Sequence, residues 1–381
     1  FLSSVARAAS RARGLLKSRG DGGRKDGMVD PERYRDCMDQ ASECSASGRF
    51  EEALRWLDEA LRANPGSAEA HNGRGEILWD HLDRFPYQRQ RRREQALRDF
   101  ARAAETEVEY FPAHLNRIEI LIEEFQQFER ALELSDGLLA RPLDSGTEAE
   151  VYYLKAKALF YLDDLQGALF LLKRAIKSHS EVGIYRGFEG QILFELGQFG
   201  PAQASLERAL ALEPECAHSV YHLALVSEHL GLQEPAERLF AEAANLAPDM
   251  YPLPIRMDDG AFQSAAQAAL EELPREIRKY TTNCPLIIEG LPDAELIREH
   301  NLSPQILGLF LGVPITADGA NPLQATALKV DVDKILLFKR NLEKVATTPS
   351  ELIEQIAITV KHEIGHCLGL DEDEIERLGL G

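Results

Sequence analysis

The feature that most constrains the fold of this chain is a repeat of 34 residues in its middle third. Small residues recur at this spacing at two positions and bulky apolar residues at a third, and a proline closes each of the last two units. Repeats of this length form helix pairs, because a small residue lets two helices cross closely and a proline ends the second helix. The pairs are predicted to stack into a right-handed solenoid, since each buries its apolar face only against its neighbours. The period is carried by Ala168, Ala202 and Ala236; by Leu172, Leu206 and Phe240; by Ala175, Ala209 and Ala243; and by Pro214 and Pro248.

The period is looser towards the start of the chain. The step from Ala53 to Ala96 is 43 residues, nine more than one period, and the excess contains the basic run at 86–93. We expect this run to be a solvated loop between the two helices of the second repeat, rather than a docking site for an acidic partner or nucleic acid. About six helix pairs are then predicted to fill residues 31–255.

These units resemble tetratricopeptide repeats in period and in residue pattern. The resemblance implies protein binding rather than catalysis, with a peptide or protein partner held in a concave groove that the first helix of each pair lines. The candidate groove residues are His71, Asn72, His114, Asn116, Tyr152, Lys155, Arg186, His218 and His222.

The stretch HEIGH near the end of the chain predicts a metal site. His362 and His366 are four residues apart, so on a helix both imidazoles project from one face and can reach one metal ion. Glu363 points into the same cleft, where it can take a proton from a water molecule as that water attacks a carbonyl carbon. Zinc is the expected metal, and Glu363 the expected general base.

The residues around this motif indicate a helix. Thr348 is a suitable N-cap, with Pro349 at the first helical position and Glu351 completing a capping box. Gly369 is where the helix should end, because glycine adopts the left-handed conformation most easily. The expected apolar stripe of this helix consists of Leu352, Ile353, Ile356, Val360 and Ile364.

A tetrahedral catalytic zinc site needs a third protein ligand and leaves the fourth position to water. Fifteen residues follow His366, and none of them is His or Met. The acidic cluster after Gly369 supplies the candidates. We rank Glu372 first because its spacing matches that of the third histidine in metzincins, Asp371 second and Asp373 third.

The C-terminal part of the chain resembles the small zincin-like metallopeptidases of bacteria, which are minimal H-E-x-x-H-x-x-G domains with an acidic residue after the glycine. The resemblance implies that His362 and His366 bind zinc and that Glu363 is the base. Many relatives carry Asp ten residues after the first histidine, where this chain has Glu372. The likeness extends upstream through residues 269–274, 285–289, 306–314 and 335–343.

The predicted fold class is mostly α, with a tetratricopeptide-type α-solenoid followed by a small α+β zincin-like domain at 256–381. Short apolar runs at 286–288 and 335–338 suit strands. Residues 307–315 contain two glycines and a proline and are expected to form a turn-rich connection. In zincins a strand beside the active helix pairs with the substrate backbone, and 330–340 is the candidate for that role, with a plain core strand as the alternative.

Composition limits the partners and the compartment. The net charge is −20, and residues 1–28 contain seven basic and two acidic residues. The rest of the chain therefore contains 36 basic and 61 acidic residues and has a net charge of −25. Such a surface repels phosphates, so we expect no nucleic acid partner, and no apolar run is long enough for a membrane helix. The five cysteines lack the spacing of a disulfide framework or zinc cluster, which indicates a reducing compartment and a cytoplasmic protein. Residues 1–30 are expected to be a basic, disordered tail, although their Arg- and Ser-rich composition also suits a transit peptide.

Two functions fit these features. The first is a zinc-dependent metallopeptidase whose repeat array recruits a substrate or a partner protein. The second is an adaptor in which the repeats bind a partner and the zincin-like domain is structural or inactive. The intact set of His362, Glu363 and His366 favours the peptidase.

Overall fold

The structure is a computed structural model, and it divides the chain into two compact units, one up to Tyr185 and one from Arg186 onward. The predicted tail at 1–30 lies outside the described residues except for Asp30, whose side chain caps the first helix by accepting from the amide of Arg33 at 3.1 Å. None of the described helices combines the length and the apolar composition that crossing a bilayer requires. The described residues are 30–82, 86–275, 277–278, 284–312 and 333–377.

The predicted fold class is confirmed: the described chain is mostly helical, with helix pairs followed by a small α+β region. The pairs of the repeat region are α1 (Pro31–Ala46) with α2 (Phe50–Ala63), α3 (Ala68–Asp80) with α4 (Arg89–Thr106), α5 (Phe111–Glu123) with α6 (Phe128–Leu139), α7 (Ser145–Tyr161) with α8 (Leu165–Ser178), α9 (Gly183–Glu195) with α10 (Phe199–Leu212), and α11 (Ala217–His229) with α12 (Gln233–Leu246).

Small residues are buried where the period places them, because the two helices of each pair cross closely there. A Cβ atom on Gly75 would lie 2.6 Å from the Phe100 ring, and one on Gly190 would lie 2.4 Å from Leu206 Cγ. At either distance a methyl group would force its neighbour to shift, so glycine is the residue that fits both positions best. The alanines that mark the repeats are fully buried, at 0% exposure: Ala53, Ala96, Ala131, Ala168, Ala202 and Ala236.

The basic run at 86–93 is not the solvated loop that we expected. Pro86–Gln88 is a short 3-10 helix, and α4 begins directly after it. Arg89 forms an ion pair with Glu124 at 3.0 Å, and Arg92 is buried and pairs with Glu51 at 2.5 Å. The arginines therefore fix the start of α4 within the first unit.

The C-terminal region contains a three-stranded sheet with the order β1-β3-β2, where β1 is Leu286–Glu289, β2 is Gly308–Leu311 and β3 is Lys334–Phe338. The two strands predicted at 286–288 and 335–338 are confirmed, and they pair in parallel. The turn-rich connection expected at 307–315 is wrong in its first part, since β2 pairs antiparallel with β3 there.

The position of β3 corrects a second expectation. Because β3 is hydrogen-bonded on both sides, its described residues cannot pair with a substrate, and the alternative of a core strand is the right one for residues 334–338. Within the described chain the edge strand on the side of the motif helix is β2. The remaining helices are α13 (Asp259–Glu272), α14 (Ala294–His300), α15 (Lys339–Leu342), α16 (Pro349–Cys367) and α17 (Glu372–Arg377).

Buried ion pairs join the last repeat to the C-terminal region inside the second unit. Glu228 of α11 is fully buried and pairs with Lys344 at 2.6 Å and with Arg256 at 3.4 Å. Arg256 also pairs with buried Glu343 at 3.0 Å. Removal of one partner of such a network typically costs about 3–5 kcal/mol, because the other charge stays buried without compensation.

Candidate metal site and active site

The helix that carries HEIGH begins with the cap that its sequence predicts. Thr348 Oγ1 accepts from the amide of Glu351 at 3.2 Å, and Pro349 is the first helical residue. The Glu351 carboxylate reaches one residue further back than in a standard capping box, where it accepts from the amide of Thr347 at 2.9 Å and from its hydroxyl at 2.6 Å. The hydroxyl bond holds the pKa of Glu351 below its ordinary value. Of the expected apolar stripe, Ile353 is exposed; the buried members are Leu352, Ile356, Val360 and Ile364.

The two histidines of the motif face each other. Their Nε2 atoms are 3.1 Å apart, and the ring planes are inclined by 82°. Two nitrogen ligands at the usual zinc distance, with a tetrahedral angle between them, are about 3.3 Å apart. The separation of His362 Nε2 and His366 Nε2 therefore fits a shared zinc ion.

Glu363 lies on the same helix and is buried against the edge strand. Its side chain is 7% exposed, and a Cβ atom on Gly308 of β2 would lie 2.9 Å from Glu363 Oε1 and 2.7 Å from Thr359 Cγ2. Glycine at this position is what lets the strand approach the carboxylate. The arrangement places a carboxylate, two imidazoles and a strand edge in one region.

The predicted Gly369 terminates the helix, two residues after its last helical residue, Cys367. Gly369 has a left-handed φ of 80°, and its amide donates to the carbonyl of His366 at 3.0 Å. The amide of Leu370 donates to the carbonyl of Gly365 at 3.1 Å, which completes a Schellman motif. The turn sends the acidic segment back along the helix.

Gly365 is the point where the returning chain packs. Ile375 of α17 is 1% exposed, and its Cγ1 atom is 2.7 Å from the position that a Cβ atom on Gly365 would occupy. Gly365 thus has a packing role, because its missing side chain leaves room for Ile375 and lets α17 pack against α16.

The acidic candidates differ in their surroundings. Asp371 Oδ1 accepts from the amide of Glu374 at 2.9 Å, and the amide of Asp371 donates to Glu374 Oε2 at 3.1 Å, so this pair caps α17. Asp373 is exposed, and the side chain of Glu372 lies outside the described residues. In the described chain no three His, Cys, Asp or Glu residues form a cluster able to hold a metal ion. The assignment of the third ligand therefore stays a prediction.

Two family models match the chain, one in the predicted repeat region and one in the predicted zincin-like domain. A family model described as zincin-like metallopeptidase matches residues 281–381, and a tetratricopeptide repeat model matches residues 38–86 and 189–251. The chain carries tetratricopeptide repeats and a zincin-like metallopeptidase domain. No curated protein sequence matches the chain.

Solved structures similar to the chain are repeat proteins. The chain is similar to a pilF protein from Pseudomonas aeruginosa, with 14% identity over 57% of this chain and 93% of that chain and a TM-score of 0.46. It is similar to PilW, a type IV pilus biogenesis factor, with 16% identity, 57% and 94% coverage and a TM-score of 0.48. It is also similar to a tetratricopeptide protein from Thermus thermophilus, with 22% identity, 46% and 92% coverage and a TM-score of 0.38.

Cys367, the neighbour of the second histidine, belongs to the core of the zincin-like domain. It is 2% exposed and packs in the same core cluster as buried Cys284. The interaction between the two thiols lowers the pKa of Cys367 and raises that of Cys284. Cys367 is thus a small buried residue of the core.

Several groove candidates of the tetratricopeptide repeats are tied to other side chains. In the first unit the amide of Asn116 donates to Asn72 Oδ1 and to Glu76 Oε1, both at 2.9 Å. In the second unit His218 contacts the Tyr251 hydroxyl at 3.0 Å, and burial lowers the pKa of His222 to about 4. The two asparagines form one polar cluster between α3 and α5, whereas His222 is a neutral core residue. The other candidates each contact one neighbour. These contacts are His71 with Asp99, His114 with the carbonyl of Val108, Tyr152 with the carboxylate of Glu148, Lys155 with Asp136, and Arg186 with Glu189.

Sequence reasoning missed residues that organise the zincin-like domain without taking part in its chemistry. Gly308 and Ile375 shape the surroundings of the motif, and Asn341 fixes the chain before β2 through bonds to the carbonyls of Pro304 at 2.9 Å and Ile306 at 2.7 Å. A glycine inside a short apolar run is the one signal in the sequence, because such a glycine often marks a close approach of another group.

Proposed function

We propose that this protein is a zinc-dependent metallopeptidase. His362 and His366 hold the zinc ion, and Glu372 supplies the third ligand. The observation that carries the proposal is the 3.1 Å separation of the two Nε2 atoms on a helix that also presents buried Glu363. When bound, zinc supplies a Lewis acid that makes a water molecule nucleophilic near neutral pH.

Glu363 is the general base of the proposed reaction. Its carboxylate takes the proton of the attacking water and passes it to the amine that leaves when the peptide bond breaks. Burial of Glu363 beneath β2 keeps its carboxylate on the side of the helix where the substrate carbonyl would lie.

The edge strand β2 holds the substrate backbone. Within the described residues, β2 pairs only with β3, and its other edge carries no strand. A peptide that adds to this edge would lie alongside Gly308, next to the carboxylate of Glu363. Backbone pairing of this kind holds a peptide without strong side-chain selection.

The tetratricopeptide array recruits the substrate or a partner protein, and the acidic surface excludes nucleic acid from that role. Tetratricopeptide repeats match two stretches of the array, and the charge of −25 outside the N-terminal stretch disfavours phosphate ligands. We place the protein in the cytoplasm, a proposal supported by five cysteines that are all free thiols.

The test combines metal content with peptide cleavage. Wild type should carry close to one zinc per chain by elemental mass spectrometry and should cleave members of a fluorescence-quenched peptide library. His362→Ala/His366→Ala should lose the zinc, and Glu363→Gln should keep the zinc but lose cleavage by at least about a hundredfold. His300→Ala, in the same domain, is the matched control and should match wild type. Turnover by Glu363→Gln would remove Glu363 as the base.

The third ligand needs its own measurement. Glu372→Ala should lower zinc affinity at least about tenfold, whereas Asp373→Ala should leave it unchanged. The reverse result would move the ligand to Asp373.

The adaptor remains the second candidate. The match of two stretches of the chain to a tetratricopeptide repeat model supports it, because such repeats bind peptides or proteins. If wild type takes up no zinc after loading, the adaptor is the better assignment.

A further inference from the structure

Residues 303–306, which we name the lead-in segment, precede β2 and contact the last two repeats. The segment follows α14 and ends one residue short of Gly308 and the strand edge. Its contacts fall into three groups, made by a carboxylate of α9, a histidine of α11 and an asparagine of α15.

Glu195, the last residue of α9, holds the two polar side chains of the lead-in segment. Ser303 Oγ donates to Glu195 Oε2 at 2.8 Å, and Gln305 Nε2 donates to Glu195 Oε1 at 3.0 Å. Each oxygen of one carboxylate thus binds one side of the segment. Next to this contact, a Cβ atom on Gly197 would be 3.0 Å from Ile297 Cγ2, so the turn after α9 also packs on α14.

His229, the last residue of α11, lies against the middle of the segment. The carbonyl oxygen of Pro304 is next to its ring and accepts from Asn341 at 2.9 Å. Pro304 is buried, and the imidazole of His229 stacks on Phe199 of α10 with ring centroids 4.3 Å apart. The helix ends of two repeats therefore contact the same short segment, Glu195 at two of its side chains and His229 at its backbone.

The lead-in segment determines where β2 begins. The amide of Phe338 donates to the carbonyl of Leu307 at 2.9 Å, and Gly308, the next residue, lies against Glu363. Catalytic and binding groups work only when held within about 0.5 Å of the productive position. A shift of the lead-in segment would move the substrate edge relative to a base that α16 holds independently.

We propose that Glu195 and His229 are positioning residues of the peptidase, through which the last two tetratricopeptide repeats fix the substrate-binding edge of β2. The inference rests on the proposed function for its catalytic consequence, but the effect on β2 itself is independent of that function. The repeats then have a second role besides recruitment, since the zincin-like domain depends on them for the placement of one strand.

Two variants test the proposal without disturbing the metal-binding helix. Glu195→Ala removes both bonds to the lead-in segment. His229→Phe keeps an aromatic ring on Phe199 but removes the ring nitrogens next to the Pro304 carbonyl. Glu207→Ala on α10, an exposed glutamate whose bond to Gln203 stays within its own helix, is the matched control.

Hydrogen exchange of residues 306–311 is the primary readout. We expect exchange to accelerate about tenfold in Glu195→Ala and in His229→Phe, and to stay at the wild-type rate in Glu207→Ala. Glu195→Gln should restore protection, because its amide offers an acceptor to Gln305 and a donor to the Ser303 hydroxyl. Wild-type exchange in both test variants would overturn the proposal.

The kinetic readout separates positioning from general damage. With a peptide that wild type cleaves, kcat/KM should fall about fivefold in Glu195→Ala, with a lower kcat as well as a higher KM, because the strand edge that holds the substrate moves relative to Glu363. Zinc content should stay at the wild-type level. If wild type cleaves no peptide, the proposed function fails, and the exchange measurement still decides the role of Glu195 and His229.

Discussion

Replacement of Gly365 by alanine tests how the acidic segment is held near the two histidines. In an isolated helix this change would stabilise the helical state by about 1 kcal/mol, since alanine is a better helix former than glycine. In this protein the new methyl group would meet Ile375 of α17, at 2.7 Å from Cγ1 and 2.9 Å from Cδ1. The two effects oppose each other.

The distance between the new methyl group and Ile375 determines how far stability and zinc affinity change. Ordinary contact begins at 3.4 Å, so Ile375 must retreat by about 0.7 Å, the difference between that distance and 2.7 Å. Overpacking of this kind costs about 1–3 kcal/mol, which the helical gain partly offsets, so the free energy of unfolding should fall by at most about 2 kcal/mol. Zinc ligands, by contrast, tolerate displacements of only about 0.2 Å. A third ligand carried by α17 would be lost, and zinc affinity should fall at least about tenfold.

A double-mutant cycle isolates the contact. Ile375→Ala removes both clashing atoms and leaves Ile375 Cβ, which is 3.8 Å from the added methyl group and in ordinary contact. Gly365→Ala should therefore lower zinc affinity about tenfold in wild type and less than about twofold in the Ile375→Ala background. Zinc affinity is measured by competition with a chromophoric chelator, and stability by urea unfolding of the metal-free protein.

Two results would refute this reasoning. Equal losses of zinc affinity in the two backgrounds would show that the added methyl group does not act through Ile375. Unchanged zinc affinity in Gly365→Ala, with the expected modest loss of stability, would show that α17 carries no zinc ligand. The ligand would then have to come from another part of the chain.

Three further predictions concern stability. Thr348→Ala should lower the free energy of unfolding by about 1 kcal/mol in urea, and Thr348→Ser should restore most of it, because the lost interaction is a cap. Burial lowers the pKa of His222 from 6.5 to about 4 and that of His229 to about 3, so below about pH 6.5 the unfolded chain binds protons that the folded chain does not. The free energy of unfolding is therefore highest above about pH 6.5, and it falls by up to ~1.4 kcal/mol per histidine for each pH unit down towards those pKa values. In urea unfolding between pH 7.5 and 5, His222→Phe should make the free energy of unfolding depend less on pH. A chain that starts at residue 183 should bind zinc as tightly as the full chain, whereas one that starts at residue 256 loses buried ion-pair partners and should unfold at lower urea.

Local patterns predicted the parts of this fold that depend on local physics. The 34-residue period, the cap at Thr348 and the left-handed Gly369 each reflect an interaction within a few turns of the chain, and the structure confirms them. The strand at 308–311 was missed because Gly308 and Gly312 indicate a turn. Pairing with β3 overrides that preference, and a partner more than twenty residues away in sequence leaves no local signal.

The roles of Gly308, Gly365 and Glu195 could not be inferred for the same reason. Each depends on an atom from a distant segment: the carboxylate of Glu363, the side chain of Ile375, and the polar groups of the lead-in segment. The sequence HEIGH does not show why its glycine is needed, because the contact of Gly365 with α17 appears only in the structure.

Asp371 shows how the structure narrows a choice that the sequence left open. Four adjacent acids, Asp371 to Glu374, follow Leu370, and spacing alone ranks the three ligand candidates among them weakly. The Asp371 carboxylate accepts from the amide of Glu374, one of the unpaired amides at the start of α17. A carboxylate that turned towards a metal ion would give up this cap, at a cost of about 1 kcal/mol. This cost counts against Asp371, and Glu372 stays the predicted third ligand because its spacing matches the motif.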